Sequence, residues 1–474
     1  MITQNLKIYN SLSGKKEKFL PSKKKRVNLF VCGPTVYDFA HLGHARTYIV
    51  FDSFAKYLKK IGFKVFYLQN ITDLDDKIIA RAREKGVSPK NLASVFEREY
   101  LKSVKDLGIN SVTKYAKATN YIKEIISQIE KLLKKNYAYK TEDGIYYDIK
   151  KFKDYGKLSS RTVLGAEDAI SRTDYSRYKK NRGDFCLWKF RQEAKEPSWP
   201  SPFGKGRPGW HIEDTAIVEK FFGDQYDIHG GGRDLIFPHH EAEIAQMEAI
   251  SGKKPFVKYW MHTGFLTISG QKMAKSLKNF ITINDFLKQY TCQQLRFLIL
   301  KNLWRSPFDY SSSAMIEVKS ALEKIEEFLK KIEKQKLKIK NTNQKSKINT
   351  EKFKDNFYKA LDDDFNTPKA FAKMFDFIKR VNPSLTKNEV SKTEASKILR
   401  FFEEINQIFE IIDFTRIKEP RLPSDIKKLI RHREKYRKEK KWQKADEIRK
   451  EIENRGYLVQ DSKEGKIVKK NSPG

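Results

Sequence analysis

The first part of the chain alternates short apolar runs with longer amphipathic stretches. Val27, Leu29 and Val31 alternate with other residues, as is typical of a β-strand, and Gly33 and Pro34 mark its end. Apolar residues then recur at helical spacing, and a second short apolar run follows. This order predicts a strand, a helix and a second strand.

The helix is predicted from about Gly43 to Ile61, with Gly62 at its C-terminal cap, and the second strand from Phe63 to Ile71. A strand, a helix and a strand in so short a span predict a right-handed parallel crossover. Open parallel sheets bind ligands at the carboxyl ends of their strands, so we expect a site at Cys32 and the loop after it.

The second part of the chain has a different pattern. From about Met315 onward, apolar residues follow helical spacing and strand signals are almost absent. The Lys-, Asn- and Gln-rich stretch 330–352 indicates a solvated helix end or a linker. Thr367 and Pro368 predict a helix start, because Thr is favoured at the cap and Pro in the first turn.

Composition narrows the class of protein. At roughly 150 residues per domain, the 474 residues predict two to four domains. Hydrophobic residues make up 39% and aromatic residues 13%, which excludes a mainly disordered chain. The net charge of +36 favours a polyanionic partner, although a bias towards Lys over the whole chain would also produce it.

Cysteine use and hydropathy indicate a reducing compartment. The chain has only three cysteines, Cys32, Cys186 and Cys292, and so few, widely spaced cysteines do not form a disulfide framework. No apolar run reaches the roughly 18 residues of a membrane-spanning helix, and the first residues lack the layout of a signal peptide. We therefore expect a cytoplasmic protein without membrane contact.

Two segments are candidates for binding phosphate. In the segment His41–His44, two imidazoles bracket Gly43 at the predicted helix start, where backbone N–H groups attract anions and a base or ribose can approach glycine. A polar helix cap is the alternative. In the segment 270–276, Lys272 and Lys275 can both reach one triphosphate, although a solvated loop is the better interpretation of this segment alone.

Cys32, His239 and Glu243 are candidate metal ligands. His239 and Glu243 are four residues apart and would share one face of a helix. Thiolate, imidazole and carboxylate suit zinc, and an open coordination position marks a catalytic site. A buried core cysteine with a surface His–Glu pair is an equally good interpretation of these residues alone.

Together, these segments resemble one family, the cysteinyl-tRNA synthetases. His41–His44 resembles the first signature of class I aminoacyl-tRNA synthetases, and Lys272–Ser276 resembles the second. Further segments resemble the cysteinyl-tRNA synthetases specifically, and they are 32–44, 70–79, 209–213, 227–232, 237–241 and 362–368. The resemblance extends over nearly the whole chain.

The resemblance implies an α/β fold: a class I Rossmann-type parallel-sheet catalytic domain with an insertion, followed by an α-helical bundle and a small C-terminal basic domain. We accordingly predict the first half of the catalytic domain at 1–118, a connective insertion at 119–200, the second catalytic half at 201–255, a stem-contact region with the lysine signature at 256–314, a helical tRNA-binding bundle at 315–412 and a basic anticodon-recognition domain at 413–474.

The implied reaction is the ATP-dependent attachment of L-cysteine to tRNA(Cys) through a cysteinyl-adenylate, with Mg²⁺ accompanying ATP. The resemblance assigns catalysis to His41, Gly43, His44, Lys272 and Lys275, of which the histidines and lysines also bind ATP. It assigns the cysteine pocket to Thr35, Trp210, His211 and His229.

One zinc ion per chain is also implied, for selection of the cysteine thiol, with the ligands Cys32, Asp214, His239 and Glu243. The family has a cysteine where this chain has Asp214. Aspartate also ligates zinc, so we expect zinc to be retained, with a weaker or water-mediated bond as the alternative. The lysine signature also differs from the family pattern, with Ala274 in place of serine and Lys278 in place of glycine. We expect these differences to leave the reaction class unchanged.

A basic stretch near the end of the chain is the predicted tRNA contact. Between Lys427 and Lys450 there are twelve Lys or Arg and four Asp or Glu, with Tyr436 and Trp442 among them. Basic side chains bind phosphates and aromatic rings stack on unpaired bases, whereas a solvated face with Trp442 in the core is the alternative. The expected partners are tRNA(Cys), L-cysteine and ATP, and the expected state is a monomer.

Two other functions fit part of the sequence. A cysteine:amino-sugar ligase paralogue would share the catalytic half, but a small acceptor needs no basic tail. A non-catalytic RNA-binding paralogue would fit the departures at Asp214 and Ala274, but both signature histidines and both signature lysines are intact.

Overall fold

The secondary structure divides the chain into an α/β front part and an almost wholly helical rear part. The computed structural model describes residues 5–161, 176–193, 196–273, 279–338, 348–417, 423–462 and 465–470. The strands are β1 (Lys7–Asn10), β2 (Lys15–Lys18), β3 (Arg26–Val31), β4 (Lys64–Ile71), β5 (Lys114–Lys117), β6 (Ala138–Lys140), β7 (Gly144–Tyr147), β8 (Phe185–Phe190), β9 (Gly206–Pro208), β10 (Tyr226–Gly232), β11 (Val257–Thr263), β12 (Leu266–Ile268), β13 (Gln271–Lys272), β14 (Phe308–Tyr310), β15 (Tyr457–Ser462) and β16 (Gly465–Lys470).

The helices lie between and after these strands. They are α1 (Leu42–Lys60), α2 (Asp76–Glu84), α3 (Pro89–Asp106), α4 (Ile122–Lys134), α5 (Trp210–Phe222), α6 (Glu241–Ser251), α7 (Ile283–Leu287), α8 (Cys292–Leu300), α9 (Ser312–Lys338), α10 (Thr350–Asp362), α11 (Thr367–Thr386), α12 (Lys392–Phe409), α13 (Ser424–Lys438) and α14 (Trp442–Asn454). None of the described helices is long and apolar enough to cross a membrane.

Five strands form a parallel sheet in the order β11–β10–β3–β4–β5. β3, α1 and β4 form the predicted crossover, and Gly62 follows α1 with a φ of +103°, in the left-handed region that favours glycine. Val27, Leu29 and Val31 pack on one face of the sheet and Phe30 on the other. Both faces are therefore buried, as is usual for a parallel sheet, and the α/β fold class is confirmed.

A smaller antiparallel sheet lies between the two halves of the parallel sheet in the sequence. Its strand order is β6–β7–β8–β9, so this unit extends as far as Pro208. The predicted insertion boundary at residue 200 falls inside the unit. Gly209 then connects β9 to α5, which brings the chain back to the parallel sheet.

Helix α1 joins the front part to the helical bundle α9–α12. Arg296 on α8 is fully buried and donates from Nη2 to Asp52 on α1 at 2.8 Å, and from Nε to the carbonyl of Phe409 at 2.6 Å. Lys56 on α1 pairs with Asp52 and with Glu410, which follows α12, at 2.7 Å each. The helix that begins at the signature histidines is thus tied to the bundle by a buried ion-pair network.

Helix α11 begins close to the predicted position, but its cap is a different residue. The side chain of Asn366 accepts a hydrogen bond from the N–H of Lys369, so Asn366 is the cap and Thr367 is the first helical residue. Pro368 lies in the first turn, as predicted. The assignment of the cap to Thr367 was wrong by one residue, because Asn is at least as good a capping residue as Thr.

Residues 423–462 and 465–470 form a small unit with a core of its own, here called the C-terminal unit. Helices α13 and α14 pack together and against the hairpin β15–β16. The buried residues of its core are Ile426, Ile430, Ile452 and Val459. A core this small leaves most side chains of the unit on the surface.

Candidate active site

A cavity of about 320 Å³ opens at the carboxyl ends of β3, β4, β10 and β11. This is the edge of the sheet at which the sequence predicted a site. The predicted site residues in its lining are Cys32, Thr35, His41, Gly43, His44, Trp210, Asp214 and His239.

The two signature histidines cap helix α1. Nδ1 of His41 accepts a hydrogen bond from the N–H of Gly43 at 3.0 Å, and Nδ1 of His44 accepts one from the N–H of His41 at 3.2 Å. The two ring centroids are 3.9 Å apart. The polar helix cap that the sequence offered as an alternative is therefore present, and the same two side chains also line the cavity.

The cap determines which ring nitrogen carries hydrogen. An Nδ1 that accepts a hydrogen bond has no hydrogen, so a neutral ring carries its hydrogen on Nε2. Burial lowers the pKa of His44 from 6.5 to about 4, which keeps this ring neutral at pH 7. The arrangement therefore leaves Nε2–H as the available donor of each neutral ring.

Glycine is required at position 43 by the cap itself. A Cβ atom at Gly43 would lie 2.8 Å from the ring of His41, closer than a Cβ atom approaches a non-bonded heavy atom. The absence of a side chain thus serves the packing of His41 as well as the space in the cavity.

The lysine signature follows a tight hairpin. β12 and β13 pair across Ser269 and Gly270, whose φ angles of +52° and +75° fit a two-residue type I′ turn. The carboxylate of Asp309 on β14 accepts a hydrogen bond from the N–H of Gly270 at 2.8 Å. Lys272 ends β13, but its side chain and the whole of Lys275 lie outside the described residues, as do the departures at 274 and 278. The roles assigned to them stay predictions.

Cys32, Asp214, His239 and Glu243 converge beside the cavity. One donor atom from each lies within 4.8 Å of the others, and all four residues are buried. Nε2 of His239 is 3.0 Å from Oδ2 of Asp214 and 3.8 Å from Oε1 of Glu243. Neither oxygen of Glu243 has a hydrogen-bond partner among the described residues. Burying a carboxylate that accepts no hydrogen bond is unfavourable in free energy unless a cation binds it. This donor set therefore fits a divalent metal such as zinc.

A second possible ligand set shares Cys32 and Glu243 but takes its imidazoles from His229 and His240. Nε2 of each histidine lies 3.2 Å from Sγ of Cys32, and Nε2 of His229 lies 3.4 Å from Oε2 of Glu243. Neither of these histidines belongs to the cavity lining, whereas the two ligands peculiar to the first set do. The first set therefore has the access to substrate that a catalytic metal needs.

Burial and negative charge govern protonation in this cluster. The pKa of Cys32 is raised well above its usual value, first by burial and then by the carboxylates of Glu243 and Asp214. Burial and Asp214 likewise raise the pKa of Glu243. Burial lowers the pKa of the surrounding imidazoles, which are His211, His229 and His240. A divalent cation would reverse the preference of the thiol and the carboxylate for their neutral forms.

The four residues predicted to bind cysteine form two layers. Thr35 and Trp210 line the cavity, and Trp210 stacks on His239 with ring centroids 4.4 Å apart. His211 and His229 are absent from the lining. Nδ1 of His211 lies 2.9 Å from Nδ1 of His239, and His229 contacts Sγ of Cys32. These two histidines therefore contact candidate metal ligands without lining the cavity themselves.

Three residues of the site were not singled out by sequence reasoning. His240 contacts Cys32, the Tyr226 hydroxyl lies 2.6 Å from Nδ1 of His229, and Asn70 donates to Asp214 at 2.5 Å. The available signal for Asn70 was its position at the carboxyl end of the second predicted strand. Tyr226 begins a strand and gave no comparable signal.

The basic stretch 427–450 lies on the surface of the C-terminal unit. Ten of its twelve Lys and Arg side chains are exposed. Trp442 is 57% exposed, so the alternative that placed it in the core is wrong. Arg437 lies 5.9 Å from the exposed ring of Trp442, and Lys444 lies 5.8 Å from the half-buried ring of Tyr436, so both aromatic rings have a cation nearby.

Family models match most of the chain. Residues 18–320 match the tRNA synthetases class I (C) catalytic domain, 356–413 match the DALR domain, and 419–467 match the Cysteinyl-tRNA ligase anticodon binding domain. The first match alone covers more than half of the chain. The chain belongs to the cysteine–tRNA ligase family. The resemblance to the cysteinyl-tRNA synthetases, which are the same family, is thereby confirmed.

Relatives in the cysteine–tRNA ligase family match from two thirds to nearly all of the chain. The cysteine–tRNA ligase of Methanococcus maripaludis (strain C7) is 45% identical over 98% of this chain and 99% of its own length. That of Thermococcus gammatolerans is 43% identical over 98% of this chain and 99% of its own. That of Thermoplasma volcanium is 55% identical over 66% of this chain and 69% of its own.

The fold is also found in a solved synthetase structure. A Mycobacterium tuberculosis methionyl-tRNA synthetase in complex with methionyl-adenylate superposes with a TM-score of 0.65, covering 82% of this chain and 92% of that chain. At 13% sequence identity this likeness shows the fold alone. Within the cysteine–tRNA ligase family, this chain therefore has the architecture of a class I aminoacyl-tRNA synthetase.

Proposed function

We propose that this protein attaches L-cysteine to tRNA(Cys), using ATP. The observation that carries the proposal is a single cavity that borders both the signature histidines and a cluster of thiol, imidazole and carboxylate groups. The first feature suits phosphate and the second suits a metal that selects a thiol. A substrate that engages both at once is cysteine joined to a nucleotide phosphate.

The reaction has two steps. A carboxylate oxygen of cysteine bonds to the α-phosphorus of ATP, and the bond between that phosphorus and pyrophosphate breaks. A ribose hydroxyl of the terminal tRNA nucleotide then attacks the carbonyl carbon of cysteinyl-adenylate, and AMP leaves. The protein contributes position and charge stabilisation, as in other phosphoryl-transfer reactions.

In this proposal, the two signature segments bind the phosphates of ATP. His41 and His44 donate from Nε2 to phosphate oxygens, because the cap engages Nδ1 of each ring. Lys272 and Lys275 stabilise the charge that develops as pyrophosphate leaves, and Mg²⁺ accompanies ATP. Gly43 keeps the backbone of the first signature accessible beside the ring of His41.

One zinc ion, held by Cys32, Asp214, His239 and Glu243, completes the proposed site. When bound, zinc supplies a soft Lewis acid that prefers the thiolate of cysteine to the hydroxyl of serine. Trp210 stacks on a proposed ligand and forms a wall of the cavity. With Thr35, it encloses the bound amino acid.

The helical bundle and the C-terminal unit bind the tRNA in this proposal. The exposed cations between residues 427 and 450 contact phosphates, and Tyr436 and Trp442 stack on unpaired bases. The hydrogen bonds that Arg296 donates to Phe409 and to Asp52 connect the bundle to the helix that carries the signature histidines. A cytoplasmic location and a monomeric state stay predictions.

Exchange of labelled pyrophosphate into ATP tests the first step. We expect exchange that depends on cysteine and on a loaded metal site, with serine far less effective. Aminoacylation of a tRNA(Cys) transcript tests the second step and excludes the amino-sugar ligase. Metal-loaded, folded protein without cysteine-dependent exchange would rule out the proposed function.

A further inference from the structure

The side chain of Asn70 connects two of the proposed zinc ligands. Its Oδ1 accepts a hydrogen bond from the N–H of Gly33, the residue after Cys32, at 2.5 Å. Its Nδ2 donates to Oδ1 of Asp214 at 2.5 Å and to Oγ1 of Thr72 at 3.3 Å. Asn70 is 2% exposed and lines the cavity.

The orientation of this amide is determined by its partners. The N–H of Gly33 can only donate, so the amide oxygen of Asn70 must face it. The amide NH₂ group therefore faces Asp214, which as a carboxylate can only accept. Aspartate in place of Asn70 would supply no donor for this contact and would add a like charge.

Because of this contact, the two oxygens of Asp214 have different partners. Oδ1 receives the hydrogen bond from Asn70, whereas Oδ2 lies 3.0 Å from Nε2 of His239, inside the ligand cluster. A cysteine ligand, which the family has at this position, offers a single sulfur atom. A carboxylate offers two oxygens and can occupy two coordination positions. With Cys32, His239 and Glu243 also bound, a bidentate Asp214 would fill the fifth position, which is the one that a substrate thiol would take at a five-coordinate metal.

We propose that Asn70 is a positioning residue that restricts Asp214 to one oxygen as a metal ligand and so keeps a coordination position for the thiol of cysteine. The inference rests on the proposed function, and it concerns the feature in which this chain departs from its family. Asn70 acts through Asp214 rather than on the reacting atoms. Hydrogen bonds to metal-ligating carboxylates generally have this orienting role.

The variant Asn70→Ala removes the hydrogen bond and tests the role. We expect the KM for cysteine in pyrophosphate exchange to rise about 10- to 100-fold, whereas kcat and the KM for ATP change much less. We also expect the cobalt(II)-substituted variant to have weaker visible absorption bands than the cobalt(II)-substituted parent, because a second carboxylate oxygen raises the coordination number.

A second background separates positioning from simple packing. In Asp214→Cys there is no second donor atom to restrain, so adding Asn70→Ala should change the KM for cysteine less than about threefold. The difference between the two backgrounds measures the coupling of Asn70 with Asp214. Equal effects in both backgrounds, or an unchanged cobalt spectrum, would overturn the proposal.

Gln69→Ala is the matched control. Gln69 is the preceding residue of β4, so its side chain is on the opposite face of the sheet from that of Asn70. It is 1% exposed and accepts a hydrogen bond from the Tyr100 hydroxyl at 2.6 Å. We expect it to lower the melting temperature without changing the cobalt spectrum. If Asn70→Ala does not fold, Asn70→Ser replaces it, because its shorter side chain cannot bridge Gly33 and Asp214.

The two proposals fail in different ways. A parent protein that binds cobalt but lacks cysteine-dependent exchange would reject the proposed function, while its spectra would still decide the role of Asn70. Normal exchange with no difference between the backgrounds would reject only the role of Asn70. A protein that takes up neither zinc nor cobalt would overturn the metal assignment and the role of Asn70 together.

Discussion

The active-site cavity and the C-terminal unit differ both in residue type and in burial. The cavity borders a buried cluster of a thiol, two carboxylates and several imidazoles. The C-terminal unit exposes most of its cations around a core of four buried residues. Trp260, which stacks on His229 beside the candidate ligand cluster, is fully buried, whereas Trp442 is 57% exposed.

This difference shows two ways in which a protein can bind an anionic or soft ligand. In the cavity region, burial removes water and strongly shifts the pKa values of Cys32, Glu243 and the buried imidazoles. On the C-terminal unit, water screens each charge, so single residues contribute little and the sum of many matters. Substitutions should therefore have large, residue-specific effects in the cavity and smaller, additive effects on the C-terminal unit.

Removing the imidazole of His44 should have the largest effect. We expect His44→Ala to lower kcat in pyrophosphate exchange about 10²- to 10³-fold, because a donor to the phosphates is lost. His44→Glu restores an acceptor for the N–H of His41 but no donor, so it should recover stability and not activity. His432→Ala, at an exposed histidine of the C-terminal unit, is the control and should leave exchange unchanged.

Changing the fourth proposed zinc ligand should have the next largest effect. We expect Asp214→Ala to lower metal affinity about 10- to 100-fold and Asp214→Cys to retain the metal, because sulfur is a good zinc ligand. Metal content of the purified variants, measured by mass spectrometry, checks this expectation. Unchanged metal content in Asp214→Ala would contradict the assignment of this ligand.

Acidification should destabilise the cavity region. Burial lowers the pKa of His44 from 6.5 to about 4 and that of His262 to about 3, so the unfolded chain binds more protons below pH 6.5. The stability that these neutral rings contribute is complete above pH 6.5 and is lost as the pH falls towards 4. We expect a slope of about 1.4 kcal/mol per pH unit for each histidine.

Thermal unfolding between pH 4 and 7 measures this slope. His262→Gln should reduce the slope by about 1.4 kcal/mol per pH unit, which corresponds to one proton. His432→Gln should leave the slope unchanged, because His432 is exposed. A slope that is the same in the parent and in His262→Gln would contradict the expected contribution of the buried ring.

The exposed ring of Trp442 should have the smallest effect of this series. We expect Trp442→Ala to weaken tRNA(Cys) binding by about 1 kcal/mol through lost base stacking, with no effect on pyrophosphate exchange. Its melting temperature should stay close to that of the parent, because the ring is 57% exposed. In contrast, Ile452→Ala removes a core side chain and should destabilise the C-terminal unit by about 2 kcal/mol or more.

Local features of the fold and the site were predictable from the sequence. The strand, helix and strand at residues 26–71 depend on residue spacing within each element, and the signature histidines lie at the predicted helix start. The cap of α11 was misplaced by one residue, because adjacent Asn366 and Thr367 are both capping residues. Trp442 was ambiguous, because an aromatic residue at helical spacing fits a core and an exposed face equally well.

Long-range partners were not predictable in this way. Asn70 and Asp214 are 144 residues apart in sequence, and the topology of the parallel sheet brings their side chains together. The two possible ligand sets share Cys32 and Glu243, so residue types alone do not separate them. Only the position of the cavity does so.

The sequence by itself determined the first strand, helix and second strand, the helical pattern of the rear part, the family, the signature residues and the difference from the family at Asp214. The tertiary structure decided which donors face the cavity, which histidines lie behind them, and that Asn70 donates a hydrogen bond to Asp214, the residue that differs from the family. The physical reason is that helix and strand patterns arise between neighbours along the chain. Burial, protonation and ligand geometry arise between residues that meet only when the sheet has formed.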